Sequence, residues 1–404
     1  MNAKDALDTR SGGGSGRLAE IVHRYVPTVV STPSARMRQL IFIGQIFLLS
    51  RLIICAAIAA SPWFYEPAPT HSSLGDPLLR PLFQWDTGWY LSIALHGYSY
   101  NGDPTQQQNV AFYPLYPLTC RLCHLLTGLS IPWCAVILSN GAFVIGLTTL
   151  YTLTTRDLGA EVARLTVLFV AFFPTSFFFS TMYTEAFFFL FSVLACTAFR
   201  RQRFIQGGLW AGLASATRPP GVLLGIPLLF EGVAHLNQRR LWWRVLLGGL
   251  CTVCGLGAFM LYLAITFHDP FASMRLQQAI GWNHGFAWPF TSLAGGLLRT
   301  VRSPLSPAPF DAWSSLLFIG LAWMLPAQLR RRYALYMVLA IAIPLCTKAG
   351  IVSLSRFVSV LFPGFMALGL LVQRRKWLYW LCLAVFTIAL MKFSMRFATG
   401  RWVG

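Results

Sequence analysis

One short stretch concentrates residue types able to do chemistry: Gln84-Trp85-Asp86-Thr87-Gly88-Trp89-Tyr90, running on through Leu91 to His96, Gly97 and Tyr98. A lone carboxylate stands there among aromatic side chains of the kind that settle at a membrane–water interface. An acid pressed against apolar surface has its ionised form disfavoured, and that makes a carboxylate a useful base. Asp86 is therefore the first catalytic candidate. The same residue type in the same place also suits the N-cap of a short helix over Thr87 to His96, and the two roles are compatible.

The elements that must hold this stretch are membrane helices. Of 404 residues, 56% are hydrophobic and 11% are charged, whereas a soluble domain carries about a quarter charged residues. Apolar runs recur from Gln39 to Met391, bounded by Arg clusters or by Pro and Gly. Many approach the roughly 20 residues that cross a bilayer as helix. A soluble protein is excluded, and an all-α polytopic membrane protein is expected. The formal charge of +19 comes as short clusters between apolar runs, not as one basic face, so it reports topology and not a nucleic-acid partner. The nine cysteines lie almost wholly inside apolar segments, where Cys behaves as a small hydrophobe, and no structural disulfide is expected.

Counting basic clusters against apolar runs gives an order for the chain. Residues 1–38, with Ser-Gly-Gly-Gly-Ser-Gly at 11–16, are expected to form a flexible cytoplasmic tail without a cleavable signal peptide. Residues 39–392 then make the catalytic bundle. Its first span contains Arg51, whose depth in the membrane demands a partner inside the bundle. Residues 61–132 hold four acids and two arginines and form a first outer loop by the positive-inside rule. Within it, 112–127 reads as a helix lying on the outer leaflet, since a crossing there would put the Arg200, Arg201 and Arg203 cluster outside. About eleven spans keep every large basic cluster inside, with a second outer loop at 267–311 and an outer tail at 393–404.

This topology gathers Asp86, Asp103, Glu185, Asp269, Arg218, Arg275, Lys348 and Arg356 on the outer face. They form an acid–base and anion-binding inventory. Glu185 is expected at the surface, level with Asp86. Arg218 and Arg356 lie at outer helix ends, where a guanidinium can fork onto a phosphate; plain snorkelling is the competing use. Cys120-Arg-Leu-Cys123-His124 matches a haem-attachment spacing, yet it sits in a Leu-rich helical pattern with no polar pocket. Cys251 and Cys254 have no second pair for zinc. Neither a Walker loop, a dinucleotide fingerprint nor an Asp-x-Asp pair occurs, so no cofactor is expected and a divalent cation is not indicated.

Several of these motifs together resemble the PIG-V family of membrane mannosyltransferases, in the GT-C superfamily. The resemblance lies in Trp85-Asp86-x-x-Trp89-Tyr90 with His96-Gly97-Tyr98, Phe112-Tyr113-Pro114-Leu115-Tyr116-Pro117, Tyr183-Thr184-Glu185, Asp269-Pro270-Phe271 with Trp282, and Ser355-Arg356-Phe357 before Leu361-Phe362-Pro363. It runs from about Phe47 to Phe365. The chain departs from the pattern at Thr217-Arg218-Pro219-Pro220, where Arg-Ser-Asn-Gly or similar is expected.

The resemblance implies a GT-C fold and a sugar carried on a polyprenyl phosphate. It also implies inverting transfer to a lipid or glycan acceptor at the outer face of a bacterial inner membrane. The N-terminus would be cytoplasmic and the active site periplasmic. Asp86 matches the family's catalytic carboxylate. Glu185 joins it as a catalytic candidate, Arg356 and then Arg218 are the donor-phosphate candidates, and Trp85, Trp89, Tyr90, His96, Tyr113, Tyr116, Asp269, Gln278 and Trp282 are candidates for substrate binding. A transporter or flippase would place charge and broken helices at mid-membrane, as Arg51 and Thr217 to Gly221 do, but no paired inverted halves are visible. A non-catalytic glycosylation subunit is the third class.

Overall fold

The computed structural model describes residues 33–68, 76–235, 238–280, 282, 285–303, 306–348 and 352–403. Most of the expected tail and His284 lie outside the described residues. The chain divides into a unit of residues 1–42 and one of residues 43–404. Sixteen α-helices run through the described residues without a β-strand. In chain order they are α1 (Pro33–Phe64), α2 (Thr87–His96), α3 (Leu115–Thr127), α4 (Ile131–Leu158), α5 (Ala160–Phe172), α6 (Glu185–Arg200), α7 (Phe204–Ser215) and α8 (Gly225–Val233). The rest are α9 (Arg239–Phe267), α10 (Ala272–Leu276), α11 (Pro289–Arg302), α12 (Pro307–Met324), α13 (Ala327–Leu345), α14 (Leu354–Ser359), α15 (Phe362–Val372) and α16 (Lys376–Ala398).

Among the described residues, four stretches are long and apolar enough to cross a bilayer: α1, α4, Leu241–Phe267 within α9, and α16. Other runs that read as continuous spans are broken. The apolar run 165–180 is α5 followed by a 3-10 turn at Ser176–Ser180, and the run after Arg218 begins as a 3-10 turn at Pro219–Leu224 before α8. Two prolines at the start of that turn explain the break, because Pro lacks the N–H that a helix interior needs. Helix α3, at 13 residues, spans only about 20 Å, and much of its second half is exposed.

Helix α6 is the axis of the bundle. Nearly all of its residues are buried, and it packs against α4, α7 and α8. Gly208 and Gly212 on α7 let that helix meet α9 backbone to backbone, where a Cβ on either would strike the carbonyl of Gly248 or Cys251. Small residues four apart are how membrane helices approach closely. Arg51 reaches from α1 to the Ser176–Ser180 turn, donating to the Ser176 carbonyl at 3.0 Å, Ser180 Oγ at 2.8 Å and Ser176 Oγ at 2.7 Å. The expected partner inside the bundle is thus a set of carbonyl and hydroxyl oxygens. The nine cysteines are free thiols.

Candidate active site

Asp86 occupies the N-cap position of α2 but its side chain makes no capping bond. The backbone turn closes the helix start instead, with the Thr87 N–H and hydroxyl both donating to the Gln84 carbonyl, at 3.4 and 3.1 Å. Tyr183 also donates its hydroxyl to the Gln84 carbonyl at 3.2 Å and accepts the Asp86 N–H at 3.2 Å. Trp85 sits in the left-handed region at φ +60°, an outlier for a bulky residue of a kind that gathers at functional sites. The Asp86 carboxylate is left to Arg356, whose Nη1 donates to Oδ2 at 3.3 Å.

Glu185 opens α6 and is fully buried, not at the surface. A carboxylate so placed needs positive partners, and it has two. Arg218 Nη2 donates to Oε1 at 2.6 Å, and Arg356 Nε lies 3.0 Å from the same oxygen as an ion pair, at an angle too poor for a hydrogen bond. Arg356 therefore bridges the two acids. Besides Arg356 Nε, two atoms of this group, Glu185 Oε2 and Arg218 Nη1, are buried without a hydrogen-bond partner. Buried polar atoms are nearly always satisfied, so such orphans call for an explanation such as a ligand.

Aromatic rings enclose the guanidiniums. Around Arg356 Cζ stand Tyr183 at 5.2 Å, Phe357 at 5.4 Å, Phe178 at 5.5 Å and Trp402 at 5.9 Å, while Arg218 lies over the other side of the group at 5.0 Å from Phe357. Helix α14, which carries Arg356, is pinned from below. The buried Asp311 carboxylate of α12 accepts the Ser355 N–H at 2.7 Å, and Thr175 donates to the Ser355 carbonyl at 3.1 Å. Nothing in the sequence singles out Asp311, because no motif surrounds it.

Burial pushes the Asp86 carboxyl above the ordinary carboxylate range, with the Arg356 charge and hydrogen bond pulling the other way. Burial also lowers the Arg218 guanidinium, against the attraction of Glu185. For Arg356, burial is outweighed by Glu185 and then Asp86, so it is held above its usual value. The group thus combines a reluctant anion, reachable from solvent, with firmly charged arginine beside it. That is the equipment of a general base next to an anion site.

Beside Asp86 the rings of Trp89, Phe112 and Trp282 form a shelf, with centroids 5.6–6.0 Å apart. Tyr90 joins this shelf to the cluster, lying 5.1 Å from Phe112 and 6.2 Å from Tyr183. Of the remaining candidates, Tyr116 packs edge-on against Tyr90 at 6.0 Å. Tyr116 is buried, its hydroxyl 2.7 Å from Ser139 Oγ, and Tyr113 is buried against Phe259. Asp269 pairs with Arg275 and accepts the Phe271 N–H at 3.0 Å. Gln278 and His96 are exposed, the latter roughly 15 Å along α2 from Asp86. Among the described residues, no three His, Cys, Asp or Glu side chains gather to hold a metal ion.

Comparison with known proteins adds three findings. The family model for mannosyltransferase (PIG-V) matches residues 36–278. GPI alpha-1,6-mannosyltransferase 2 of Mus musculus is 28% identical over 211 residues, covering 49% of this chain and 42% of that protein. Its Rattus norvegicus counterpart is 30% identical over 181 residues, covering 41% of this chain and 35% of that protein. The matched part therefore spans well under half of those relatives. Among solved structures, the Archaeoglobus fulgidus oligosaccharyltransferase with zinc and sulfate covers 89% of this chain and 53% of its own, at 13% identity and TM-score 0.48. ArnT from Cupriavidus metallidurans bound to undecaprenyl phosphate covers 87% and 77%, at 15% identity and TM-score 0.39.

Proposed function

Because the chain belongs to the PIG-V mannosyltransferase family, we propose that it transfers mannose from a polyprenyl phosphate to a lipid or glycan acceptor, with inversion and with Asp86 as the base. The observation that carries this reading is the Asp86–Arg356 contact. It takes a carboxylate away from the capping role its position invites and sets it beside a buried cation. In the transfer, an acceptor hydroxyl gives its proton to Asp86 while its oxygen bonds to the anomeric carbon. The bond from that carbon to the phosphate oxygen breaks, and its electron pair leaves with the lipid phosphate. Arg356 and Arg218 offset that growing negative charge, the latter with Nη1, which has no protein partner.

Glu185 fixes both arginines and so sets the spacing of the anion site. The Trp89–Phe112–Trp282 shelf offers apolar ring faces to a sugar. Trp85, Tyr90 and the second loop, with Asp269 and Gln278, border the acceptor approach. A divalent cation has no part in the scheme. The distribution of basic clusters supports a cytoplasmic N-terminus and a site on the opposite, outer side of the membrane; the family resemblance is what adds a bacterial inner membrane and a GT-C architecture to the proposal.

The test is transfer from a synthetic polyprenyl-phosphate mannose by purified Asp86→Asn protein in lipid nanodiscs. A loss of about 10²–10⁴-fold, the usual worth of a positioned base, is expected while donor binding persists. An Asn variant as fast as the parent would remove Asp86 from the chemistry.

A further inference from the structure

After α16 the chain turns at Gly400, φ +77°, and comes back to the site. The Ala68 N–H donates to the Thr399 carbonyl at 2.9 Å, Arg401 lies 5.6 Å over the Tyr65 ring, and Val403 is fully buried. Between Arg401 and Val403, Trp402 meets the Trp85 ring edge-on at 5.1 Å and stands 5.9 Å from Arg356 Cζ. It thus touches a residue on each side of the Asp86–Arg356 pair. Trp85 needs such a neighbour, since a bulky residue held at φ +60° persists only where its surroundings over-determine it.

We infer that Trp402 is a positioning residue for Asp86, bracing the left-handed turn that aims the carboxylate and holding the Arg356 guanidinium against it. The inference rests on the transfer reaction proposed above. Its consequence is electrostatic. Asp86 faces Arg356 from α14, Glu185 from α6, Arg218 from the turn before α8, Tyr90 from its own helix and Tyr183 from the segment before α6. Loosening Arg356 withdraws the nearest opposite charge and leaves burial and Glu185 to favour the protonated acid.

The test compares Trp402→Ala and Trp402→Phe with the parent, each as full chain in nanodiscs. Carbodiimide labelling of the protonated Asp86 carboxyl, followed by peptide mass spectrometry across pH, reads its protonation without substrate. In Trp402→Ala the labelling midpoint should rise by about one pH unit, in line with the loss of a near opposite charge. Trp402→Phe, which keeps a ring, should return most of that shift. Transfer by the Ala variant should fall about tenfold through kcat, as misplacement of a reacting group does, with KM little changed. An unmoved midpoint in Trp402→Ala, or equal shifts in the Ala and Phe variants, overturns the inference whatever the rate does. A midpoint that shifts as expected in Trp402→Ala, when the parent itself transfers no sugar, leaves Trp402 in place and removes the reaction instead.

Discussion

Two clusters of the same composition, two acids and two arginines each, sit at opposite ends of α6. Glu185 on its first residue belongs to one, with Asp86, Arg218 and Arg356. Arg200 on its last residue belongs to the other, with Asp157 at 2.7 Å and Glu231 at 3.2 Å, Glu231 being held in turn by Arg332 at 2.8 Å. Sixteen residues of helix separate them by roughly 24 Å. An acid at the N-terminus and a base at the C-terminus both suit the helix dipole, so α6 explains why charge is tolerated at each end.

The difference lies in which charge is reachable. In the Glu231 cluster the acids are 1% and 3% exposed and the arginines 16% and 18%. In the Asp86 cluster the arginines are 10% exposed and Asp86 is 23%. The first arrangement buries its carboxylates beyond the reach of any substrate and serves to lock helices together. The second presents one carboxylate to the outside and backs it with cations, which is what a base beside a leaving anion requires.

Exchanging amide for acid in both clusters gives the largest contrast. Asp86→Asn should cost transfer about 10²–10⁴-fold with little change in thermal midpoint. Glu231→Gln should do the reverse, since it takes the charged partner from a half-buried Arg332, though Arg200 keeps Asp157, and costs about 1–3 kcal/mol of stability, while each folded molecule transfers at close to the parental rate. Rates normalised to folded protein by size-exclusion chromatography decide this. Equal rate losses in the two variants would break the comparison. Acid titration sharpens it further. Asp86 must be ionised to accept a proton, and burial holds its carboxyl above the ordinary range, so kcat/KM should fall as pH falls while the pH is still above ordinary carboxylate values. The Asn variant should lack that limb.

A smaller effect separates charge from shape. Arg356→Lys keeps a cation but loses the planar fork that reaches Asp86 and Glu185 together, so a decrease of about tenfold in kcat is expected. Arg332→Lys in the other cluster should leave the rate alone. A silent Arg356→Lys would mean that net charge alone suffices at the site.

Much of this contrast is open to reading from residue types, and some is closed for physical reasons. Asp86 stands out because a lone acid among interfacial aromatics is costly unless used, and the helix it precedes runs over Thr87–His96 as expected. That its side chain does not cap this helix depends on Tyr183 and Gln84, 99 positions apart, which no local pattern encodes. Glu185 reads as a surface acid because Met182, Tyr183 and Thr184 look like a turn; its burial follows from two arginines that come 33 and 171 residues later. Asp311 acts through the backbone N–H of Ser355, a donor that every non-proline residue carries and that residue type therefore does not reveal. The apolar runs suggest about eleven spans; among the described residues four helices are both long and apolar enough to cross unaided, and hydropathy, which sums side chains, is blind to backbone breaks such as Ser176–Ser180. Those breaks are where the site is built.

The smallest effect tests where the site stops. Asp269 carries a motif as suggestive as that of Asp86, yet it is spent locally on Arg275, the Phe271 N–H and, at 3.5 Å, the Tyr100 hydroxyl. Arg275 is 56% exposed, and a pair so open to water contributes about 0–1 kcal/mol. Asp269→Asn should therefore lower the thermal midpoint by no more than about 2 °C, roughly what so small a stability change gives in a chain of this size. If Asp269 only borders the acceptor path, KM for the acceptor should rise a few-fold while kcat stays at the parental value. A fall in kcat on the scale of Asp86→Asn would instead mean that the second loop carries a reacting group. The line between a carboxylate used in the chemistry and one used to fold a turn would then have to be redrawn.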